Sequence, residues 1–158
     1  MKKNLHIILI LCLVFVSSCI KKREVKVESE KTIVEEIIRE FVQGLEKADT
    51  EKVLGFYAKS PRTVLIGTGD DLLVGYDAVE SFYREFIPIL NKWQKREFIV
   101  SDLKIRIIDG VAWFYSKLIL KYEQFEKQVE KNVRFTGILI KEEGIWKLVQ
   151  VHTSLPSS

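Results

Sequence analysis

The side chains with the most chemical reach gather near the end of the chain: Arg134 and Thr136 on one apolar run, Gln150 and His152 on the next. A guanidinium on an apolar face needs a partner, and a ligand carboxylate held bidentately fits its fork. A structural ion pair with Glu40, Glu51 or Asp70 would satisfy it equally. The two runs, roughly 129 to 141 and 145 to 153, alternate as strands and are joined by Glu142-Glu143-Gly144. A three-residue loop with Gly144 in the left-handed position pairs Lys141 with Ile145. Counting back, Thr136 then faces Gln150 and Arg134 faces His152, which puts four polar groups on one inner face. A two-residue loop would instead set His152 opposite Phe135 and part it from Arg134.

His152 is one of two histidines, and the other, His6, lies in the N-terminal apolar segment. An imidazole titrates near neutral pH, so beside Arg134 it would serve as acid or base, or simply hydrogen-bond in a pocket wall. Thr136 and Gln150 support either use. Tyr57 and Tyr83 fall on helical apolar stripes, where their hydroxyls aim into a cavity or their rings fill the core. Trp146 reads as packing, and Asp70-Asp71 as a solvated loop tip. One histidine without a cysteine or carboxylate cluster is short of a metal-ligand set, and no cofactor is expected. A Gly-rich phosphate loop, a GxSxG elbow and a cysteine nucleophile are all missing from the sequence.

The elements that must carry these groups change period along the chain. Thr32 with Glu35 makes a capping box for an amphipathic helix over 32 to 47, with Ile33, Val34, Ile37, Ile38, Phe41 and Leu45 at helical spacing. Asp49 or Thr50 caps a shorter helix through Tyr57, which Ser60-Pro61 ends. Thr63–Gly67 is a β-branched strand and Thr68–Gly75 a loop or small hairpin. Asp77 with Glu80 starts a third helix, which Pro88 should kink. From Phe98 the period becomes two. Asp109-Gly110 signals a type I′ turn pairing Ile108 with Val111. Leu103, Ile105, Ala112, Phe114 and Leu118 then share a core face, opposite Lys104, Arg106, Trp113, Tyr115 and Lys117. With Ile119, the exposed Trp113 and Tyr115 read as the contact face of a homodimer.

The first 19 residues give an address. Lys2 and Lys3 precede an apolar run from Leu5 to Val16, and Ser17-Ser18 stand before Cys19. The run is short for a membrane span and is followed by small residues, as in a cleaved export signal. The spacing resembles a bacterial lipobox, in which Cys19 would be acylated as the first mature residue and would attach the protein to a membrane. Cys12 leaves with the signal, so no disulfide is expected. Ile20 rather than Asp after the cysteine resembles the sorting rule for the outer membrane of Gram-negative bacteria. Residues 1–18 are thus a signal peptide, 19–30 a lipidated cysteine and polar linker, and 31–158 one folded domain. The formal charge of +3 falls almost to balance once Lys2 and Lys3 are removed. Nucleic acid is therefore not the expected partner.

Three helices followed by a long antiparallel sheet resemble the SnoaL-like branch of the nuclear transport factor 2-like superfamily. The resemblance covers about residues 32 to 156. It rests on EFVQGLEKADTEKVLGFYA, IGTGDDLLVGYDAVESFY, the Arg134-x-Thr136 strand and the closing GIWKLVQVHTSLP. It implies an α+β cone with three N-terminal helices on a strongly curved antiparallel sheet, a small-molecule pocket in the cone, and dimerisation through the outer sheet face. Isomerase members use a carboxylate base on the first strand. Here that strand reads Thr63-Val64-Leu65-Ile66, and Thr136 stands near the place of the second acid, so that chemistry looks lost. Dehydratase-like members use a His and Asp pair, and no Asp in the last strands can orient His152. The expectation is a lipid-anchored domain that binds a small anionic or amphipathic molecule without chemistry through Arg134, His152, Thr136, Gln150, Tyr57 and Tyr83. The alternatives are an enzyme using His152 with Arg134, and a dimeric accessory protein whose cone is filled by Phe41, Leu45, Phe86 and Trp146.

Overall fold

A computed structural model describes residues 27–69 and 71–156 of the chain. The expected signal segment, Cys19, most of the expected linker and Asp70 lie outside the described residues. Helix α1 occupies 27–47, α2 Thr50–Gly55 and α3 Tyr76–Leu90. Six strands, β1 (Val64–Ile66), β2 (Leu72–Val74), β3 (Gln94–Ile108), β4 (Val111–Gln124), β5 (Lys127–Glu142) and β6 (Ile145–Ser154), form one curved sheet. Its order is β2-β1-β6-β5-β4-β3, so the short β1–β2 hairpin extends the edge beyond β6, with β1 running parallel to β6. The expected α+β architecture, with helices covering one face of the sheet, is the one observed.

Helix α1 corrects the capping-box expectation. Residues 27–30 are already helical, and the Thr32 hydroxyl donates to the Glu28 carbonyl at 3.2 Å, as a residue inside a helix does. Lys31 pairs with Glu28, and Glu30 is held by Lys141 of β5 at 2.9 Å, so charged contacts carry the helix back into the supposed linker. Asp49 is the N-cap of α2, accepting from the Lys52 amide. That helix stops at Gly55, two residues short of the expected end, because Tyr57 bridges to Leu148 of β6. Helix α3 passes through Pro88 and ends at Leu90.

The inner face is apolar. Val34, Ile38 and Phe41 of α1 and Val79, Tyr83 and Ile87 of α3 lie buried over Phe114, Phe135 and Leu148 of the sheet. Phe41 stacks on Phe135 with centroids 6.2 Å apart, and Phe114 meets Phe135 edge-on at 4.9 Å. Gly137 is what allows strands and rings to approach. A Cβ there would stand 2.6 Å from Phe114 Cε1 and 2.7 Å from the Gln150 carbonyl oxygen.

The Asp109-Gly110 turn is as expected, with both residues at positive φ and Ile108 paired to Val111. The last hairpin is not. Its loop is Glu143-Gly144, again with two positive φ values, and Glu142 pairs with Ile145. This moves β5 by one residue against β6, so Leu139 rather than Ile138 meets Leu148. A bulge at Val149 then inserts a second one-residue shift, after which Ile138 pairs with Gln150, Thr136 with His152 and Arg134 with Ser154.

Candidate functional site

Each one-residue shift reverses which side chains face inward. On β5 the inner set becomes Val133, Phe135 and Leu139, and Arg134 is exposed. On β6, Trp146 and Leu148 face inward as expected, but beyond the bulge Val151 takes the inner side and Gln150 and His152 turn outward. The structure therefore does bring Arg134, Thr136, Gln150 and His152 to one face, and it is the outer one. The inner-face placement is corrected: none of the four lines the cavity between helices and sheet.

On the outer face two rows cross the whole sheet. Val74, Val64, Gln150, Ile138, Trp113 and Arg106 form one; Leu72, Ile66, His152, Thr136, Tyr115 and Lys104 form the next. Leu72, Val74 and Tyr115 are each more than half exposed, and Trp113 is 39 % exposed. Arg134 lies beside Lys117, whose ammonium is engaged by Asp102 at 2.8 Å; that hydrogen bond holds the Asp102 carboxyl below its usual value. Ile119 is half-buried on the same side of β4.

The inner side contains a cavity of about 280 Å³. Phe41 and Leu45 of α1 and Phe86 of α3 form part of its wall instead of filling it, and Trp146 takes no part. Leu118, Val133, Phe135 and Val151 supply the sheet side. Polar groups are few. Thr68, Asp71, Lys131 and Thr153 reach it, with Asp71 and Lys131 exposed. Among the described residues, no three His, Cys, Asp or Glu side chains gather as a metal site.

Two aromatic pairs give this wall its character. Tyr83 lines the cavity, and its hydroxyl lies 2.9 Å from that of Tyr57, which sits behind it and does not reach the space. Both residues are buried, and loss of hydration pushes both phenols well above their usual value near 10. They are neutral across the physiological range. Trp93 stacks on Tyr122 with centroids 3.9 Å apart, and both line the cavity. The Trp93 Nε1 is buried without a hydrogen-bond partner.

Of the six residues expected from sequence to contact a ligand, Tyr83 alone lines the space. Lys131, Trp93, Tyr122 and Thr153 were missed. Lys131 was within reach of pattern reasoning, because stepping back by two from Phe135 and Val133 arrives at it. Trp93 lies in the helix-to-strand connection, outside any apolar period.

A family model described as SnoaL-like domain matches residues 34–158. No curated protein sequence matches the chain. Solved structures resemble it closely in fold. A candidate dehydratase of the NTF2-like family from Streptomyces avermitilis shares 15% identity at a TM-score of 0.73, covering 84% of this chain and 99% of its own. An NTF2-like superfamily protein from Salmonella enterica shares 19% at 0.71, covering 83% and 94%. An NTF2-like protein of unknown function from Pseudomonas putida shares 14% at 0.71, covering 83% and 89%.

Proposed function

Since the chain belongs to the SnoaL-like domain family, we propose that it uses the cone of that fold to hold a small, largely apolar molecule, without transforming it. The observation that carries this reading is the open space itself. Phe41, Leu45 and Phe86 are the bulky side chains that would fill the cone of a purely structural domain, and they stand around about 280 Å³ instead. That volume is near the lower end for ligand pockets, so the occupant is small. The ligand is read as apolar, because Arg134, the group that suggested an anionic head, faces the other way. The Streptomyces avermitilis relative carries the name of a dehydratase, chemistry that needs an acid or base against the substrate. Here His152 lies on the outer face and the buried phenols keep their protons, which supports binding over catalysis.

The test is thermal unfolding of the protein with a panel of small apolar compounds. A ligand at 100 times its dissociation constant stabilises by about 2.7 kcal/mol, which is several degrees for a domain of this size. The shift should vanish in Leu118→Trp, which fills the cavity, and persist in Arg134→Ala and His152→Ala. No shift with any compound would overturn the binding reading and leave that of a dimeric accessory protein.

Two further parts of the reading concern where and with what the domain works. Val16-Ser17-Ser18-Cys19 supports lipid attachment at the bacterial cell envelope, at the periplasmic face of the outer membrane in a Gram-negative cell. Cys19→Ser should release the protein from the membrane fraction and remove an acyl mass increment. The apolar rows of the outer face, with Trp113 and Tyr115 exposed at their centre, support a second copy of this chain as their cover. Arg134, Thr136, Gln150 and His152 then belong to the dimer contact instead of a ligand site.

A further inference from the structure

The two ends of the sheet carry different groups. At one end Tyr122, Lys131, Asp71 and Thr153 stand around the cavity, near the turn that joins β4 to β5. At the other lie the tight turns Asp109-Gly110 and Glu143-Gly144, tied together by a hydrogen bond that the Lys141 amide donates to the Gly110 carbonyl at 2.9 Å. β4 runs from one end to the other, about 40 Å of strand. The first turn of α1 belongs to the end with the tight turns, because Lys141 Nζ holds Glu30 there at 2.9 Å. About eight peptide steps lead from Cys19 to position 27, and in any arrangement they span at most about 29 Å. An acyl group on Cys19 would therefore keep that end beside its bilayer. Apolar side chains are exposed at the same end. Ile108 and Val111 flank one tight turn and Ile145 follows the other, each 40 % exposed or more, where the neighbours of a turn are ordinarily polar. They lie past Trp113 on the outer side of the sheet, at its margin.

We propose that this end of the domain docks on the lipid bilayer that carries the anchor, with Ile108, Val111 and Ile145 set among the headgroups, so that the cavity opens toward the aqueous compartment. The inference rests on the acylation of Cys19 proposed above and goes beyond it, since a tether alone leaves the orientation of the domain free. A bilayer is the better cover than a second copy, because the proposed dimer contact centres on Trp113 and Tyr115, further from the anchor, while the three turn residues stand where the tether enters. Charge does not oppose the contact. Asp109, Glu142 and Glu143 are offset by Lys21, Lys22 and Arg23 in the tether, so a zwitterionic surface is enough. Three aliphatic side chains gain little by leaving water for an interface, and the anchor supplies the local concentration at which that gain suffices. A ligand is then exchanged with water and not drawn from the lipid.

The acylated full-length protein is the material for the test. Cys12 leaves with the signal and Cys19 carries the lipid, so a single introduced cysteine takes a fluorophore alone. Val111→Cys, Ile145→Cys and, at the tip of the β4–β5 turn, the exposed Phe125→Cys are each labelled and inserted into phosphatidylcholine vesicles with and without a lipid bearing a nitroxide near its headgroup. The labels at positions 111 and 145 should be quenched severalfold more than the label at position 125. Ile108→Asp combined with Ile145→Asp separates docking from mere closeness: both sites are exposed, so folding and lipid attachment should persist, while the label at position 111 should lose its quenching. Quenching unchanged in that variant, quenching equal at both ends or strongest at position 125, or labels at 111 and 145 shielded from lipid by a second copy would each overturn the proposal while leaving acylation intact. A protein whose mass shows no acyl group would overturn the anchoring reading and this inference with it.

Discussion

Removing one hydroxyl of the Tyr57–Tyr83 pair at a time should cost unequal amounts. Tyr57 is 2 % exposed and its hydroxyl has Tyr83 as its one hydrogen-bond partner among the described residues, 2.9 Å away. Tyr83→Phe therefore leaves the Tyr57 O–H buried and unpaired, at about 1–3 kcal/mol. Tyr57→Phe leaves the Tyr83 hydroxyl at the cavity wall, where water can replace the lost partner, and costs about 0.5–1 kcal/mol. Removing both hydroxyls keeps ring packing and leaves nothing unpaired, so the double variant should be close to the milder single one. The resulting coupling equals the cost of Tyr83→Phe, about 1–3 kcal/mol, outside the additivity expected of independent sites. Urea unfolding of the four proteins measures it, and the midpoint should order as wild type, then Tyr57→Phe and the double variant together, then Tyr83→Phe. Equal losses from the two single changes, adding in the double, would refute this difference between the two hydroxyls.

The remaining expectations test other parts of the structure. Gly137→Ala drives a Cβ against Phe114 and the Gln150 carbonyl, and should cost about 3 kcal/mol by chemical denaturation, because backbone oxygen on one side cannot move aside. Arg134→Ala, at an exposed site with no hydrogen bond or ion pair among the described residues, should change stability by less than about 0.5 kcal/mol. Tyr115→Glu places a charge at the centre of the outer face and should convert the proposed dimer to a monomer by analytical ultracentrifugation. The tyrosine pair also sets a pH response. Folded-state values raised above those of the unfolded chain mean that stability is level up to about pH 10. It then falls as unfolded phenols ionise and folded ones do not. The melting temperature should drop more steeply above pH 10 in the wild type than in the Tyr57→Phe, Tyr83→Phe double variant.

The two halves of the chain differed in how much their sequence disclosed. Helices and strands were legible because Ile38 and Phe41, Val79 and Tyr83, and Ala112 and Phe114 repeat with the period of their elements. The Asp109-Gly110 turn fixed its own register, since both residues must take positive φ. The site was not legible in the same way. Its location depended on the last hairpin, where Glu143-Gly144 alone forms the loop and Val149 adds an unpaired residue. Neither event changes composition or period, yet each reverses every side chain beyond it. On β5 the ambiguity was real, because Ile138 and Ile140 are as apolar as Leu139 and Val133. Trp93 was hidden for another reason. A residue in a connection joins a cavity through tertiary packing, here against Tyr122, some thirty positions away.

The most direct measurement of the central claim is methyl NMR of the protein, with leucine and valine methyls labelled, titrated with 1-tetralone. Saturable shifts confined to the cavity-lining leucine and valine methyls, among them Leu45, Leu65, Leu118, Val133 and Val151, with the outer-face Val64, Leu72 and Val74 unmoved, are the predicted result. Shifts centred on Val64, beside Gln150, would place binding on the face that carries Arg134 and His152 and contradict the account; so would a cavity whose methyls do not respond.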